Sequence, residues 1–261
     1  MDDLRSICYK NSFLSQVIVR LDFLQNVSSN IVLDTDLEKE IIQYFPRKGK
    51  DQIIRFNSIK VELISNHDSA PNANKTVIEG IQREYYTSDE LNKVVISNLF
   101  IIFDIKKYST FDKHEAVFRD IIMAFQQKAR IPVSRTGIRY INIFDSAKIK
   151  VQKNYFTNEV AASFINKPNQ SGESPQLIRS MHTKEYIIDS LKMNFRYGMF
   201  NPDYPNVLKK NAFVLDYDCF TDDTVDNADQ LMQIINQGHD AIQKLFELSI
   251  SNSLRRVMNN E

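Results

Sequence analysis

Six aspartates, Asp216, Asp218, Asp222, Asp223, Asp226 and Asp229, stand close together with no lysine or arginine between them. On a strand, Asp216 and Asp218 share a face, and the turn that follows could bring Asp222 or Asp223 beside them. Carboxylate oxygens gathered in this way are what Mg²⁺ or Mn²⁺ requires for phosphoryl transfer. A plainer account places Asp226 and Asp229 at the N-terminus of a helix, whose dipole favours negative charge. In that account Asp216 and Asp218 lie on the wet face of an antiparallel sheet.

A basic stretch precedes the acidic one. Lys128, Arg130, Arg135, Arg139, Lys148, Lys150 and Lys153 face only Asp145, with Tyr140, Phe144 and Tyr155 among or beside them. Cations interleaved with stacking rings suit single-stranded nucleic acid or a phosphorylated ligand. Lys128, Arg130, Arg135 and Arg139 are the candidates for that contact. On a strand, however, Arg139 shares its face with Ile141 and Ile143, opposite Tyr140, so it is expected to be half-buried and paired. The acidic and basic stretches could also simply meet, within one chain or across a dimer.

Other chemistries lack their residues. The six glycines, at 49, 80, 137, 172, 198 and 238, are too scattered for a dinucleotide fingerprint or a phosphate-cradling loop. There is no Gly-x-Ser-x-Gly elbow and no His-Glu-x-x-His helix. His67, His114, His182 and His239 fall in different elements, and His114 and His239 adjoin Glu115 and Asp240, which predicts exposed helix surface. Cys8 and Cys219 cannot hold a metal cluster by themselves and read as reduced thiols.

A chain of 261 residues suits one large domain or two intimate lobes. With 43% hydrophobic residues and zero formal charge it is a globular composition, not a disordered one, and no global field draws it to nucleic acid or membrane. The acidic start Met1-Asp2-Asp3 lacks a signal-peptide layout, and no apolar run approaches a membrane span. A cytoplasmic location is expected.

The elements that must position these residues can be read from periodicity. Val17, Val19, Leu21 and Phe23 alternate with polar residues, as in a strand with one buried face. A short helix follows Asp34 or Thr35 and ends at Pro46. Strands are expected at 52–65, 77–86 and 93–108, the last two forming a hairpin across Ser88-Asp89-Glu90, with a loop at 66–75. Phe118, Ile121, Ile122, Phe125 and Ala129 mark a helix starting near Thr110 or Asp112, where Glu115 is placed for a capping box, and Pro132 stops it. A strand at 137–144 follows. Further strands are expected at 151–165, 176–188, 191–200 and 208–220, with a loop at 167–175. The chain closes with a helix from about 226 to 258, nearly ~50 Å long at 1.5 Å per residue. Leu231, Ile234, Ile235, Gly238, Ile242, Leu245, Leu248 and Leu254 form its inward stripe; Phe246, Ile250 and Val257 form a second, weaker set.

One pattern recurs. Asn98 to Asp104 is an aromatic-rich strand leading into an amphipathic helix, and Asn211 to Asp218 repeats it. The expected fold is α+β, two related halves (1–149 and 150–261), each a mainly antiparallel sheet covered by a long amphipathic helix.

The strand Gly137-Ile-Arg139-Tyr140-Ile-Asn142, the Leu-Asp-Tyr-Asp strand and the terminal Ser-Leu-Arg-Arg resemble a bacterial protein family of about this length. That family is sporadically distributed and of unknown function. The resemblance covers most of the chain and implies a prokaryotic, mobile-gene setting, such as conflict with phage or plasmids; it implies no catalytic residues. The function expected is therefore a non-enzymatic interaction or accessory module with a protein partner or a second copy of itself, no membrane contact and no cofactor. The alternative is a metal-dependent enzyme acting on nucleic acid or a nucleotide, with Mg²⁺ on Asp216 and Asp218 and phosphate on Arg135 and Arg139.

Overall fold

A computed structural model describes residues 9–62, 72–145, 152–163, 177–208 and 212–260; within 56–62 and 72–78 it describes the backbone alone. Cys8, His67, Lys148, Lys150 and the loop expected at 167–175 lie outside the described residues.

The described strands are β1 (Leu14–Phe23), β2 (Arg47–Lys48), β3 (Gln52–Glu62), β4 (Asn72–Tyr86), β5 (Asn92–Ser97), β6 (Phe100–Ile105), β7 (Val133–Phe144), β8 (Ser180–Ile188), β9 (Leu191–Phe200) and β10 (Ala212–Thr221). They form one sheet, ordered β2-β4-β5-β6-β1-β7-β10-β9-β8, with β3 also on β4, and the pairings are antiparallel. The protein is thus α+β with a mainly antiparallel sheet. Helices are α1 (Ser29–Val32), α2 (Thr35–Ile42), α3 (Phe111–Ala129), α4 (Asn158–Ala161), α5 (Ala228–Ser249) and α6 (Asn252–Asn259).

The core lies between one face of the sheet and the helices. Val17, Val19 and Leu21 of β1, Ile101 and Phe103 of β6 and Leu215 and Tyr217 of β10 are almost wholly buried. From α3, Phe118 packs tilted against Phe103 and Phe125 stacks on Phe23, with ring centres 4.7 and 4.9 Å apart. Each such side chain contributes ~1.5–3 kcal/mol when fully buried. Helix α5 lies over β7 and β10 and touches α3, where Asn236 donates to Glu115 at 2.9 Å. Gly238 permits that approach: a Cβ there would stand 2.7 Å from a methyl of Ile138.

Several elements depart from the periodicity. The strand expected at 93–108 is two strands, because Ser97 Oγ accepts from the amides of Leu99 and Phe100 and closes a tight turn. Residues 153–155 and 158–161, expected within a strand, form a 3-10 turn and α4. No capping box closes α3; Glu115 pairs with Arg119 at 2.8 Å instead. The terminal helix breaks at Ile250, whose extended backbone bridges to Phe156 while Ser251 starts α6 as its N-cap. With 22 residues, α5 is therefore ~33 Å long. Leu248, expected inward, is 64% exposed, whereas Phe246 and Ile250 of the second set are buried.

Candidate functional site

The sheet face away from the helices carries the side chains of alternate strand positions, and cross-strand register places them in rows. One row runs Lys93, Asp104, Ile18, Arg139, Asp218, Asn194; the next runs Glu84, Val95, Ile102, Arg20, Gly137, Phe220. Between these rows and Arg135 lies a hollow of about 440 Å³. Gly137 forms part of its floor. A Cβ there would sit 2.9 Å from Phe220 Cβ and 3.2 Å from the Cys219 carbonyl, so the position is held open by the closeness of β10. Arg135 and Arg139 flank it on the same strand face, ~13 Å apart along β7, and Arg20 faces it from β1.

The charges of the hollow are tied to one another. Arg139 donates to both oxygens of Asp216, at 2.7 and 2.6 Å, the two-pronged geometry that a guanidinium and carboxylate favour. That bond raises the Arg139 pKa against the opposing effect of burial. Arg196 stands 3.9 Å from the same carboxylate, which is 6% exposed. Arg135 lies over the Phe220 ring at 4.2 Å and reaches Asp218 at 3.6 Å and Asp222 at 3.9 Å. Arg20 bonds Asp22 at 2.8 Å and covers Phe100 at 5.0 Å. Gln16 donates to Asp104 at 2.6 Å, and Lys93 meets Glu84 at 3.3 Å. Burial raises the Asp218 carboxyl above its ordinary value, although Arg135 and Arg139 pull it down.

Of the residues singled out by sequence, Arg135, Arg139, Asp216 and Asp218 come together here. The acidic and basic stretches meet within the chain because β7 and β10 are neighbours. Lys128 and Arg130 do not join them. Lys128 lies in the last turn of α3, bonded to Asp34 and Asp36 at the start of α2, and Arg130 is the exposed left-handed cap of α3. Arg20, Lys93 and Phe100 are lining residues that charge clustering missed; the polar half of the β1 alternation was the available signal for Arg20.

The arrangement engages its carboxylates with arginines. Both Asp216 oxygens are taken by a guanidinium, and among the described residues no three His, Cys, Asp or Glu side chains gather as a metal site needs. What it can offer is a concave, charge-compensated surface in which Ile18, Val95, Phe100 and Ile102 alternate with salt-bridged pairs. No known protein family matches the chain, and no curated protein does. Among the described residues no helix is long and apolar enough to cross a membrane.

Proposed function

We propose that this chain is a non-enzymatic interaction module of the bacterial cytoplasm, serving a mobile-element or phage-defence system, and that it receives a protein partner on the helix-free face of its sheet. The observation that carries this is the internal pairing of the hollow's charges. Arg139, Arg135 and Arg20 each have a carboxylate partner, so the surface is poor in unspent positive charge for a nucleic-acid backbone and rich in mixed apolar and polar contacts. Protein interfaces have that character. The setting rests on the family resemblance of the Gly-x-Arg-Tyr-x-Asn strand.

We further propose that the halves are related. From the middle of the sheet outward, β1 is followed by β6, β5 and β4, and β7 by β10, β9 and β8. In chain order each set is one strand, then a three-strand meander returning toward it, then a long helix, with α1, α2, β2 and β3 added to the first set and a 3-10 turn, α4 and α6 to the second.

The test is binding by a partner recovered with the chain and then purified. Calorimetry should show Ile102→Glu binding at least tenfold more weakly than wild type, with Lys128→Ala unchanged. Equal affinity for all three, or Mg²⁺-dependent cleavage of nucleic acid that Asp218→Asn abolishes, would overturn the proposal.

A further inference from the structure

The helix side of β7 holds a second hollow, of about 310 Å³, between the segment before β1, the start of α3 and the middle of α5. Its floor is buried and polar. The Tyr140 hydroxyl, on a residue 5% exposed, lies 3.0 Å from the Tyr108 hydroxyl and 2.8 Å from Nδ1 of His239. His239 is 4% exposed, not the surface histidine its acidic neighbour suggested, and its ring stacks on Phe111 with centres 3.9 Å apart and planes 2° apart. Asn142 and Gln243 add carboxamides to the lining, Phe246 and Tyr108 add ring walls, and exposed Lys10 stands at the rim.

We infer that this hollow is a binding site for a small planar ring compound with a hydrogen-bonding edge, neutral or singly anionic. Size sets the first limit: the volume equals roughly ten water molecules at ~30 Å³ each, enough for one ring system with substituents. Aromatic walls around a few fixed polar groups are the usual composition of such sites. Charge sets the second limit. Among the described lining residues there is no aspartate or glutamate and Lys10 is the one charged side chain, while Glu247, behind the Tyr9 hydroxyl, is held by Arg255; a carboxylate finds a counter-charge at the rim and a cation finds none in that lining. Tyr140 and His239 fix the floor, because each holds the other and the His239 ring is clamped on Phe111. The open-face hollow is separate from this site, and the two stand or fall independently.

Titrations with 4-hydroxybenzoate, uracil, the saturated trans-4-hydroxycyclohexanecarboxylate and the cationic 4-hydroxybenzylamine test it on the full chain. Ring signals of Tyr and His, labelled for NMR, report the contact. At least one of the two planar probes, 4-hydroxybenzoate or uracil, should shift the His239 and Tyr140 signals and bind at least tenfold more tightly than the saturated and cationic compounds. Tyr140→Phe, which keeps the ring in place, should weaken it about fivefold, the worth of one hydrogen bond. Lys128→Ala, outside both hollows, should change nothing, and thermal melting checks that both variants fold. Absence of any shift with both planar probes at about 10 mM (an affinity too weak for a built site), or equal binding of all four compounds, would overturn the inference.

Discussion

Arg135, Gly137 and Arg139 look onto the helix-free face, while Ile138, Tyr140 and Asn142 look into the helix layer, so one strand supplies both hollows. The outer one is built from ion pairs that touch water on one side, and its arginines are held by carboxylates of the neighbouring strand. The inner one is built from rings and hydroxyls that hold each other in a buried layer. An intact pair of the first kind adds little net stability, but losing one member strands the other's charge; contacts of the second kind, between neutral groups, are costly to leave half-made on a smaller scale. The period-two alternation of a strand lets both kinds stand side by side.

Removing Arg139 should produce the largest effect. Arg139→Met leaves the nearly buried Asp216 with Arg196, 3.9 Å away, as its one cationic neighbour among the described residues and should cost about 3 kcal/mol in urea unfolding. Replacing both partners, Arg139→Met with Asp216→Leu, should return stability to within about 1 kcal/mol of wild type. If the double change is as harmful as the single one, the pair is more than mutual compensation. On the inner side, Tyr140→Phe should cost about 1 kcal/mol, and a smaller loss would mean that His239 and Tyr108 are held by their other contacts.

Asp218 gives a subtler test. Burial raises its carboxyl above the ordinary 3.8, with Arg135 and Arg139 opposing. The folded state therefore binds this proton more tightly than the unfolded one, and the stability it carries is present at low pH and lost as pH rises through the raised value. An NMR titration of the carboxyl carbon should show a midpoint above 3.8; a lower one would mean that the arginines outweigh burial. Lys128→Ala, outside both hollows, should leave the urea midpoint unchanged.

Much of this was legible in the residues. Alternation at 137–144 placed Arg139 and Tyr140 on opposite faces, and opposite charge suggested a meeting of the two stretches, within one chain or across a dimer, which Arg135 and Arg139 make within the chain. The breaks were harder to read. Ser249-Ile250-Ser251 carries no helix breaker, and Ile250 leaves the helix because Phe156, distant in sequence, pairs with it. The acidic neighbour Asp240 points His239 outward, yet His239 is buried. Its spacing from Ile235 and Ile242 puts it on the inward stripe, and that signal was present. Lys128 and Arg130 adjoin Arg135 and Arg139 along the chain, yet α3 ends at its cap, Arg130, before β7 begins. Lys128 therefore meets Asp34 and Asp36, while Arg135 and Arg139 meet the aspartates of β10 and the turn after it.

The pairing of β7 with β1 on one edge and β10 on the other makes deletion far harsher than substitution here. Losing one residue between Thr136 and Asn142 would slide part of the strand by a step, turning guanidinium groups into the greasy layer and phenol rings into water at once. Away from Gly137 and Arg139, conservative point changes in this stretch should be found in working variants of the chain; frame-preserving losses of a single codon should not.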